Sequence, residues 1–232
     1  MAPTHPFSGT QDFDPQEAER QKRVAAEAAA ELVKDGARLG LGTGSTVAHL
    51  LPALAARELR DVRCVATSPA TERAARALGL IVETLEELEE LDIAIDGADQ
   101  IDQHGWLIKG GGAAHTREKI VAVAARRFVV IASAEKAVAA VSPPVPIEIL
   151  RFGAQSTLRA LGSARLREVP PSPDGNLIGD YLGAVEDPAI LAARLSGTPG
   201  LVEHGLFAPE LVSDVLIAGP DGLEHRQGAK PD

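Results

Sequence analysis

Short runs of strand-type residues alternate with helical stretches over residues 37–132, and this alternation constrains the fold more than any other feature. Each run is apolar, ends in small or polar residues and is followed by a stretch with helical spacing. Strands joined by helices in this way form a parallel sheet with helices on its faces. An alanine-rich helix over 17–33 comes first. The predicted strands are 37–41, 62–66, 92–95, 106–108 and 128–132, and the predicted helices are 45–58, 69–78 and 116–125.

Residues 143–207 follow a different pattern, in which two strands lie next to each other in the chain. The Pro-Asp-Gly-Asn sequence at 173–176 is typical of a tight hairpin turn. The resulting order, β-α-β-β-α-β, is that of a ferredoxin-like unit. The predicted strands of this region are 147–150, 164–169, 177–180 and 201–203, and its predicted helices are 154–161 and 188–195.

A further apolar strand at 214–218 is expected to return to the first sheet. We therefore predict an α/β fold in which a Rossmann-like, mostly parallel sheet domain carries an inserted ferredoxin-like α+β domain. The Rossmann-like catalytic domain takes 16–142 with 208–225, and the insertion takes 143–207. Residues 1–15, which contain three prolines, are predicted to be a flexible leader.

Charge and composition exclude several classes of function. A net charge of -10 argues against a broad nucleic-acid surface, because phosphate backbones bind clustered lysine and arginine. No apolar run approaches the about 18 residues of a membrane helix, and no signal peptide is visible at the N-terminus, so we expect a cytoplasmic protein. The single cysteine, Cys64, fits a reducing compartment and is expected to be a buried strand thiol rather than a nucleophile.

The first predicted strand runs into the glycine-rich loop 40–46, Gly-Leu-Gly-Thr-Gly-Ser-Thr, which opens a helix. Such a loop can hold an anion on its backbone amides at the helix N-terminus. Ser45 stands where a dinucleotide fingerprint requires glycine, and no lysine precedes it as a Walker A motif requires. A small phosphate held by the amides and by the hydroxyls of Thr43, Ser45 and Thr46 remains, with a plain strand-to-helix turn as the alternative.

Three later polar segments follow predicted strands and are expected at the same edge of the sheet. Residues 96–99, Asp-Gly-Ala-Asp, supply two carboxylates, and Lys109 is followed by three glycines. Glu118 lies in the first turn of the next helix. Each feature alone has a structural explanation, such as a turn, a cap or a complement to the helix dipole. Together they favour a site for general acid–base chemistry.

Metal and acyl-transfer chemistry find no support in the sequence. The six histidines show neither HExxH spacing nor a cysteine partner, so surface or capping roles are expected for them. No G-x-S-x-G motif is present. We therefore expect no metal and no nucleotide cofactor.

Taken in order, these loops resemble ribose-5-phosphate isomerase of the A type. The resemblance implies an enzyme of the non-oxidative pentose phosphate pathway that interconverts D-ribose 5-phosphate and D-ribulose 5-phosphate through an enediolate, as a homo-oligomer with a dimer favoured. Gln100 departs from the family, which usually has an acid there, and 137–144 lacks the family's Leu-Gly element. The matching segments are 40–46, Ser68 with Thr71, 92–99, 107–112, 116–120, 174–176 and 205–207.

The resemblance also implies roles for individual residues. Glu118 would be the proton acceptor, and Asp96, Asp99 and Lys109 would complete the catalytic group. Lys22 corresponds to an additional lysine on the phosphate side. The substrate would be held by Lys22, Thr43, Gly44, Ser45, Thr46, Asp96, Gly97, Ala98, Asp99, Lys109, Gly110, Gly111, Gly112 and Lys136.

Two other functions stay open on the sequence. A non-catalytic sugar-phosphate sensor would have no need of Glu118 together with Lys109, and no DNA-binding segment accompanies the domain. An amino-sugar phosphate deaminase or a phosphogluconolactonase would place a histidine near the base, and His115 is the candidate.

Overall fold

The computed structural model describes residues 14–230. Its first helix begins at Pro15, a residue suited to the first helical position, and the side chain of Asp14 caps it by accepting a hydrogen bond from the N–H of Gln16 at 2.9 Å. Residues 1–13 of the predicted flexible leader lie outside the described residues. The prediction was wrong for Asp14 and Pro15, because the cap and the proline start the helix earlier than the apolar spacing indicated.

Helices and strands alternate along most of the chain. The helices are α1 (Pro15–Ala30), α2 (Ser45–Ala56), α3 (Pro69–Ala77), α4 (Leu85–Leu88), α5 (His115–Ala124), α6 (Ala154–Leu161) and α7 (Pro188–Ser196). The strands are β1 (Arg38–Leu41), β2 (Arg63–Ala66), β3 (Ile81–Glu83), β4 (Leu91–Gly97), β5 (Gln100–Ile101), β6 (Leu107–Ile108), β7 (Ala125–Ser133), β8 (Val145–Ile149), β9 (Ala164–Leu166), β10 (Leu177–Tyr181), β11 (Leu201–His204), β12 (Leu206–Phe207), β13 (Asp214–Gly219) and β14 (Gly222–Gln227).

The central sheet has seven strands in the order β14-β13-β7-β4-β1-β2-β3. All neighbours are parallel except β14, which forms a hairpin with β13. Strand β13 returns beside β7, with Asp214 opposite Val129, as predicted for the last apolar strand. The mostly parallel sheet of the prediction is confirmed.

Helices cover both faces of this sheet, and the side-chain alternation of the strands supplies both cores. On one face Leu39 and Ile93 pack with the alanines of α1 and the leucines of α2. On the other face Ala94 and Phe128 pack with Val121 of α5. The loops that leave the strands are thereby held between two rigid layers.

A second sheet has the order β11-β8-β10-β9, and all of its pairs are antiparallel. With α6 and α7 it runs β-α-β-β-α-β along the chain, and the predicted ferredoxin-like unit is confirmed. The division of the chain into domains at 143 and 207 stays a prediction, which these two separate sheets support.

The predicted strand 106–108 does not join the parallel sheet. Its residues Leu107 and Ile108 form β6, which pairs antiparallel with β5 and β12 in a small third sheet. The reason is a tight turn, in which the carboxylate of Asp102 accepts hydrogen bonds from the N–H groups of His104 and Trp106. That turn folds the chain back as a hairpin, where the prediction assumed a further strand and helix.

Strands β3 and β14 were not predicted. Both lie at an edge of the central sheet, where exposed side chains weaken the apolar pattern. Cys64 is fully buried in β2, and burial raises the pKa of its thiol to about 12, which confirms the predicted inert thiol. Among residues 14–230, no helix has the length and apolarity required to cross a membrane.

Candidate active site

Polar residues converge where β7, β4 and β1, three neighbouring strands, reach their carboxyl ends. The loops after these strands, the glycine loop after β6 and the start of α5 together enclose one pocket. Its lining residues are Thr43, Gly44, Ser45, Thr46, Gly97, Ala98, Asp99, Lys109, Gly110, Gly111, Gly112, Glu118 and Lys136.

The loop between β1 and α2 forms one wall of the pocket. A Cβ atom on Gly42 would lie 1.9 Å from Oδ1 of Asp96, so only glycine allows this approach. Oδ1 of Asp96 accepts hydrogen bonds from the N–H of Thr43 at 3.1 Å and of Gly97 at 2.7 Å. The N-cap of helix α2 is Gly44 (φ 116°), which provides no side-chain cap. The first N–H groups of α2 are therefore available to an anion.

Lys109 lies between two carboxylates in the floor of the site. Its Nζ is 2.8 Å from Oδ2 of Asp96 and 3.2 Å from Oε2 of Glu118, and all three side chains are 3% exposed. Nζ also donates a hydrogen bond to the carbonyl oxygen of Gly97 at 2.5 Å. The acid–base group predicted from the sequence thus includes a buried cluster of Asp96, Lys109 and Glu118 in ion-pair contact.

This cluster contains two carboxylates for one ammonium group. Burial, and next the neighbouring charge of Asp96, raise the pKa of Glu118 from 4.5 to about 8, although Lys109 opposes the rise. Burial also raises the pKa of Asp96, against the effect of Lys109 and two backbone N–H groups. Burial would lower the pKa of Lys109, but the two carboxylates outweigh it and raise that pKa. Two backbone N–H groups thus favour the ionised form of Asp96.

The glycine loop 110–112 forms the opposite wall. The N–H of Gly111 donates to Oδ2 of Asp99 at 2.8 Å, and a Cβ atom on Gly111 would lie 2.9 Å from Oδ1 of the same carboxylate. Gly110 has φ 102° and packs against the ring of His115. Both glycines are therefore required by close contacts as well as by backbone conformation.

The structure brings together almost every residue predicted for the site. Asp96 lies behind the lining and reaches the pocket through Lys109. Lys136 lines the pocket, with Nζ 3.6 Å from the carboxylate of Glu135. Lys22 is not brought to the lining, because its Nζ binds Glu19 on the same helix at 2.6 Å. Its phosphate role stays a prediction.

The expectation of a surface or capping role was wrong for His115, which is fully buried at the start of α5. Burial lowers the pKa of its imidazole to about 4, so the ring is neutral near neutral pH. A neutral buried ring beneath the glycine loop gives no support to a histidine acting as an acid. Among residues 14–230, no cluster of three or more histidine, cysteine, aspartate or glutamate side chains could hold a metal ion.

Two residues of the inserted unit, Arg167 and Glu148, bond to segments that form the site, and neither was predicted from the sequence. Nη1 of Arg167 donates to the carbonyl oxygens of Gly110 at 3.1 Å and Gly111 at 3.3 Å, while Nη2 pairs with Asp180 at 2.6 Å. Glu148 is buried in β8 and bonds to the start of α5. The signal for Glu148 was an acidic residue between two isoleucines in an otherwise apolar strand.

Comparison with known proteins points to one family. The model of the family Ribose 5-phosphate isomerase A (phosphoriboisomerase A) matches residues 63–222. Ribose-5-phosphate isomerase A of Caulobacter vibrioides (strain NA1000 / CB15N) is 45% identical over 225 residues, which cover 90% of this chain and 99% of that protein. The protein of the same name from Methanosarcina acetivorans is 46% identical over 216 residues, covering 87% and 92%.

Solved structures agree with the sequence comparison. A D-ribose-5-phosphate isomerase in complex with phospho-erythronic acid superposes with a TM-score of 0.86 at 31% identity, covering 90% of this chain and 99% of that one. Ribose 5-phosphate isomerase A from Neisseria gonorrhoeae gives a TM-score of 0.87 at 31% identity, covering 90% and 97%. The predicted fold class is confirmed, and the chain belongs to the ribose 5-phosphate isomerase A family.

Proposed function

We propose that Glu118 is the base through which this chain interconverts D-ribose 5-phosphate and D-ribulose 5-phosphate. The observation that carries the proposal is a carboxylate that is 3% exposed and lies 3.2 Å from an ammonium group at the floor of a pocket, where burial raises its pKa to about 8. A base works best when its pKa lies near the operating pH. Few surface carboxylates meet that condition, since exposure keeps their pKa low.

The reaction moves one proton between neighbouring carbons. Glu118 takes the proton from C2 of the open-chain aldose, and the electron pair of that C–H bond forms the C1–C2 double bond. The π pair of the C1 carbonyl moves onto O1, which gives the enediolate. The same carboxyl group then returns the proton to C1, while a hydroxyl proton passes from O2 to O1. The product is the 2-ketose, and no electron or atom enters or leaves.

Lys109 supplies the charge that the enediolate requires. The negative oxygen exists only along the reaction path, so an ammonium group positioned for it accelerates the chemical step. The pKa of Lys109 is raised by Asp96 and Glu118 despite burial, which keeps the group protonated. Asp96 holds this lysine in place, and Asp99, which lines the pocket, accepts the sugar hydroxyls and assists ring opening.

The phosphate binds at the N-terminus of α2. Ser45 and Thr46 offer hydroxyls beside the uncapped N–H groups, and Lys136 brings a positive charge to the lining. The net charge of -10 repels an anionic substrate, so binding depends on local donors and cations in the pocket. The groups at the start of α2 and Lys136 provide them. The complex of a relative with phospho-erythronic acid, a sugar-acid phosphate, supports a ligand of this class.

The protein is further proposed to be a cytoplasmic homodimer. Its one cysteine is buried and fits a reducing compartment. Ile120 and Val123 lie one turn apart on α5 with 51% and 62% exposure, and an identical pair on a second copy would cover them. Light scattering of the purified protein measures the mass: twice that of the chain supports the dimer, and a single-chain mass contradicts it.

Conversion of ribose 5-phosphate by the purified protein in the presence of EDTA tests the proposed function. Glu118→Gln is expected to lower kcat by about 10² to 10⁴, the range supplied by a general base. Glu31→Gln, a change on an exposed residue of the α1 C-cap, is the matched control and keeps full turnover. A wild type without turnover, or an unchanged Glu118→Gln variant, contradicts the proposal.

A further inference from the structure

We propose that Glu148 is a positioning residue for the reaction: its carboxylate fixes the helical turn that carries Glu118. The inference rests on the proposed function, because it concerns the placement of the proposed base. Glu148 lies in β8, a central strand of the inserted sheet, and is 1% exposed. It touches no lining residue through its carboxylate, so its effect on the chemistry would pass through α5.

The carboxylate of Glu148 is fully occupied by three hydroxyl or amide donors. Oε2 accepts a hydrogen bond from Oγ1 of Thr116 at 2.5 Å. Oε1 accepts from Oγ of Ser172 at 2.6 Å and from Nδ2 of Asn176 at 2.8 Å. Thr116 is the second residue of α5 and precedes Glu118 by two positions. One buried group thus joins the catalytic helix to the 172–176 turn.

Burying the carboxylate of Glu148 in the inserted sheet costs free energy, so a role for this side chain is expected. Its neighbours Ile147 and Ile149 are fully buried and point to the opposite face of the strand, and a buried carboxylate is costly unless it is hydrogen-bonded. Within residues 14–230, no lysine or arginine forms an ion pair with Glu148. Glu148 is held by direct hydrogen bonds, with the charge of Arg117 nearby, and hydrogen bonds to a carboxylate are strong and directional.

Helix α5 needs an external anchor at this end. Its N-cap is Ala114, which has no side chain able to accept from the first N–H groups. The preceding residues 110–112 are glycines, which restrain the backbone weakly. The bond from Thr116 to Glu148 does not cap these N–H groups, but it ties the first turn of the helix to a strand.

A second link comes from the same 172–176 turn. Arg117 donates through Nε and Nη2 to the two carboxylate oxygens of Asp174, at 2.8 and 2.6 Å. Farther along the helix, Nζ of Lys119 binds Oε1 of Glu203 at 2.6 Å. The residues on both sides of Glu118 are thus held by the inserted sheet, while Glu118 itself points to Lys109.

This arrangement predicts an effect on turnover more than on substrate binding. The groups proposed to bind phosphate and hydroxyls lie on α2 and on the loops after β4 and β7, none of which contacts Glu148 through a hydrogen bond. A base displaced by about 1 Å can cost roughly 10²-fold in rate. Loosening the first turn of α5 should therefore lower kcat and leave KM nearly unchanged.

The test compares two substitutions at Thr116 with a matched control. Thr116→Val removes the hydroxyl at constant size, and kcat is expected to fall about tenfold or more with KM within about twofold. Thr116→Ser keeps the hydroxyl and is expected to restore kcat to within about twofold of the wild type. Thr157→Val removes another partly buried hydroxyl bond, from Thr157 to the carbonyl of Pro199 in the inserted unit, and should leave kcat unchanged.

The kcat values of these variants either support the positioning role of Glu148 or exclude it. Wild-type kcat in Thr116→Val, failure of Thr116→Ser to restore it, or an equal loss in Thr157→Val would overturn the inference while the isomerase activity itself stands. Absence of turnover in the wild type would instead count against the proposed function. If Thr116→Val does not fold, Glu148→Gln tests the same link, because it keeps the size of the side chain and weakens the bond from Thr116. A fall in kcat of about threefold at constant KM supports the inference, and an unchanged kcat overturns it.

Discussion

The carboxylate of Glu118 lies 3.2 Å from the ammonium group of Lys109, and both side chains are 3% exposed. In water such a pair would be fully charged, but here Asp96 competes for the same ammonium group at 2.8 Å. Burial and that competition raise the pKa of Glu118 to about 8. The base is thus kept close to the pKa at which it can both accept and return a proton.

The first prediction concerns pH. Glu118 must be ionised to accept the C2 proton, and its pKa of about 8 means that it is mostly protonated below that pH. The kcat/KM of the free enzyme is therefore expected to rise as pH increases and to level off above about pH 8. Initial rates across buffers of constant ionic strength measure the profile. A limb centred near 4.5, the ordinary value for glutamate, would refute the raised pKa.

The second prediction concerns Lys109. Lys109→Met keeps the apolar stem and removes the charge, so the enediolate loses its stabilising group. We expect kcat to fall about 10²- to 10³-fold, as when one oxyanion donor is removed. The pKa seen in kcat/KM should move further upward, because Lys109 opposes the rise at Glu118. Steady-state kinetics check both effects, and a downward shift of that pKa would contradict the charge assignment.

The third prediction separates the two candidate phosphate lysines. Lys136 lines the pocket, whereas Lys22 is paired with Glu19 outside it. Lys136→Ala is expected to raise KM about tenfold, the value of one charge-assisted hydrogen bond. Lys22→Ala serves as the matched variant with a smaller effect. If Lys22→Ala raises KM more than Lys136→Ala does, the proposed phosphate position is wrong.

The fourth prediction links the base to stability. Folded Glu118 keeps its proton up to about pH 8, whereas the unfolded chain releases it above its ordinary pKa of 4.5. This group therefore stabilises the folded state less and less as pH rises between those values. Glu118→Gln lacks that dependence, so its melting temperature should gain on the wild type from about pH 5 to about pH 8. Thermal melts of both proteins measure the difference, and a melting temperature of Glu118→Gln that falls relative to the wild type as pH rises would contradict the prediction.

Much of the site could be predicted because its residues sit in short loops after strongly patterned strands. Apolar strands such as β1 and β4 alternate with helices along the chain, which indicates a parallel sheet, and the carboxyl ends of such strands meet at one edge. Thr43 and Asp96, 53 residues apart in sequence, were therefore expected together, and a hydrogen bond joins them.

The remaining features depend on tertiary contacts that no local pattern contains. The hydrogen bond from Arg167 to Gly110 spans 57 residues and two different sheets, and nothing near Arg167 in the sequence marks it. Residues 106–108 have strand composition, but the turn built on Asp102 decides which strands they pair with. Lys22 lies on the expected helix, yet its rotamer is set by Glu19 one turn away.

Proton exchange with solvent tests the role of Glu118 most directly. Wild-type protein and Glu118→Gln would be incubated with ribose 5-phosphate in deuterated water, and label at C1 and C2 would be followed by NMR. The protonated carboxyl group of Glu118 can exchange its proton with solvent during the lifetime of the enediolate. We therefore expect the wild type to incorporate deuterium at these carbons. Calorimetry is the control, and Glu118→Gln is expected to bind the sugar phosphate within about tenfold of wild-type affinity. The variant is expected to incorporate no deuterium above background. Incorporation by Glu118→Gln at the wild-type rate would mean that another group removes the proton, and the central claim would fail.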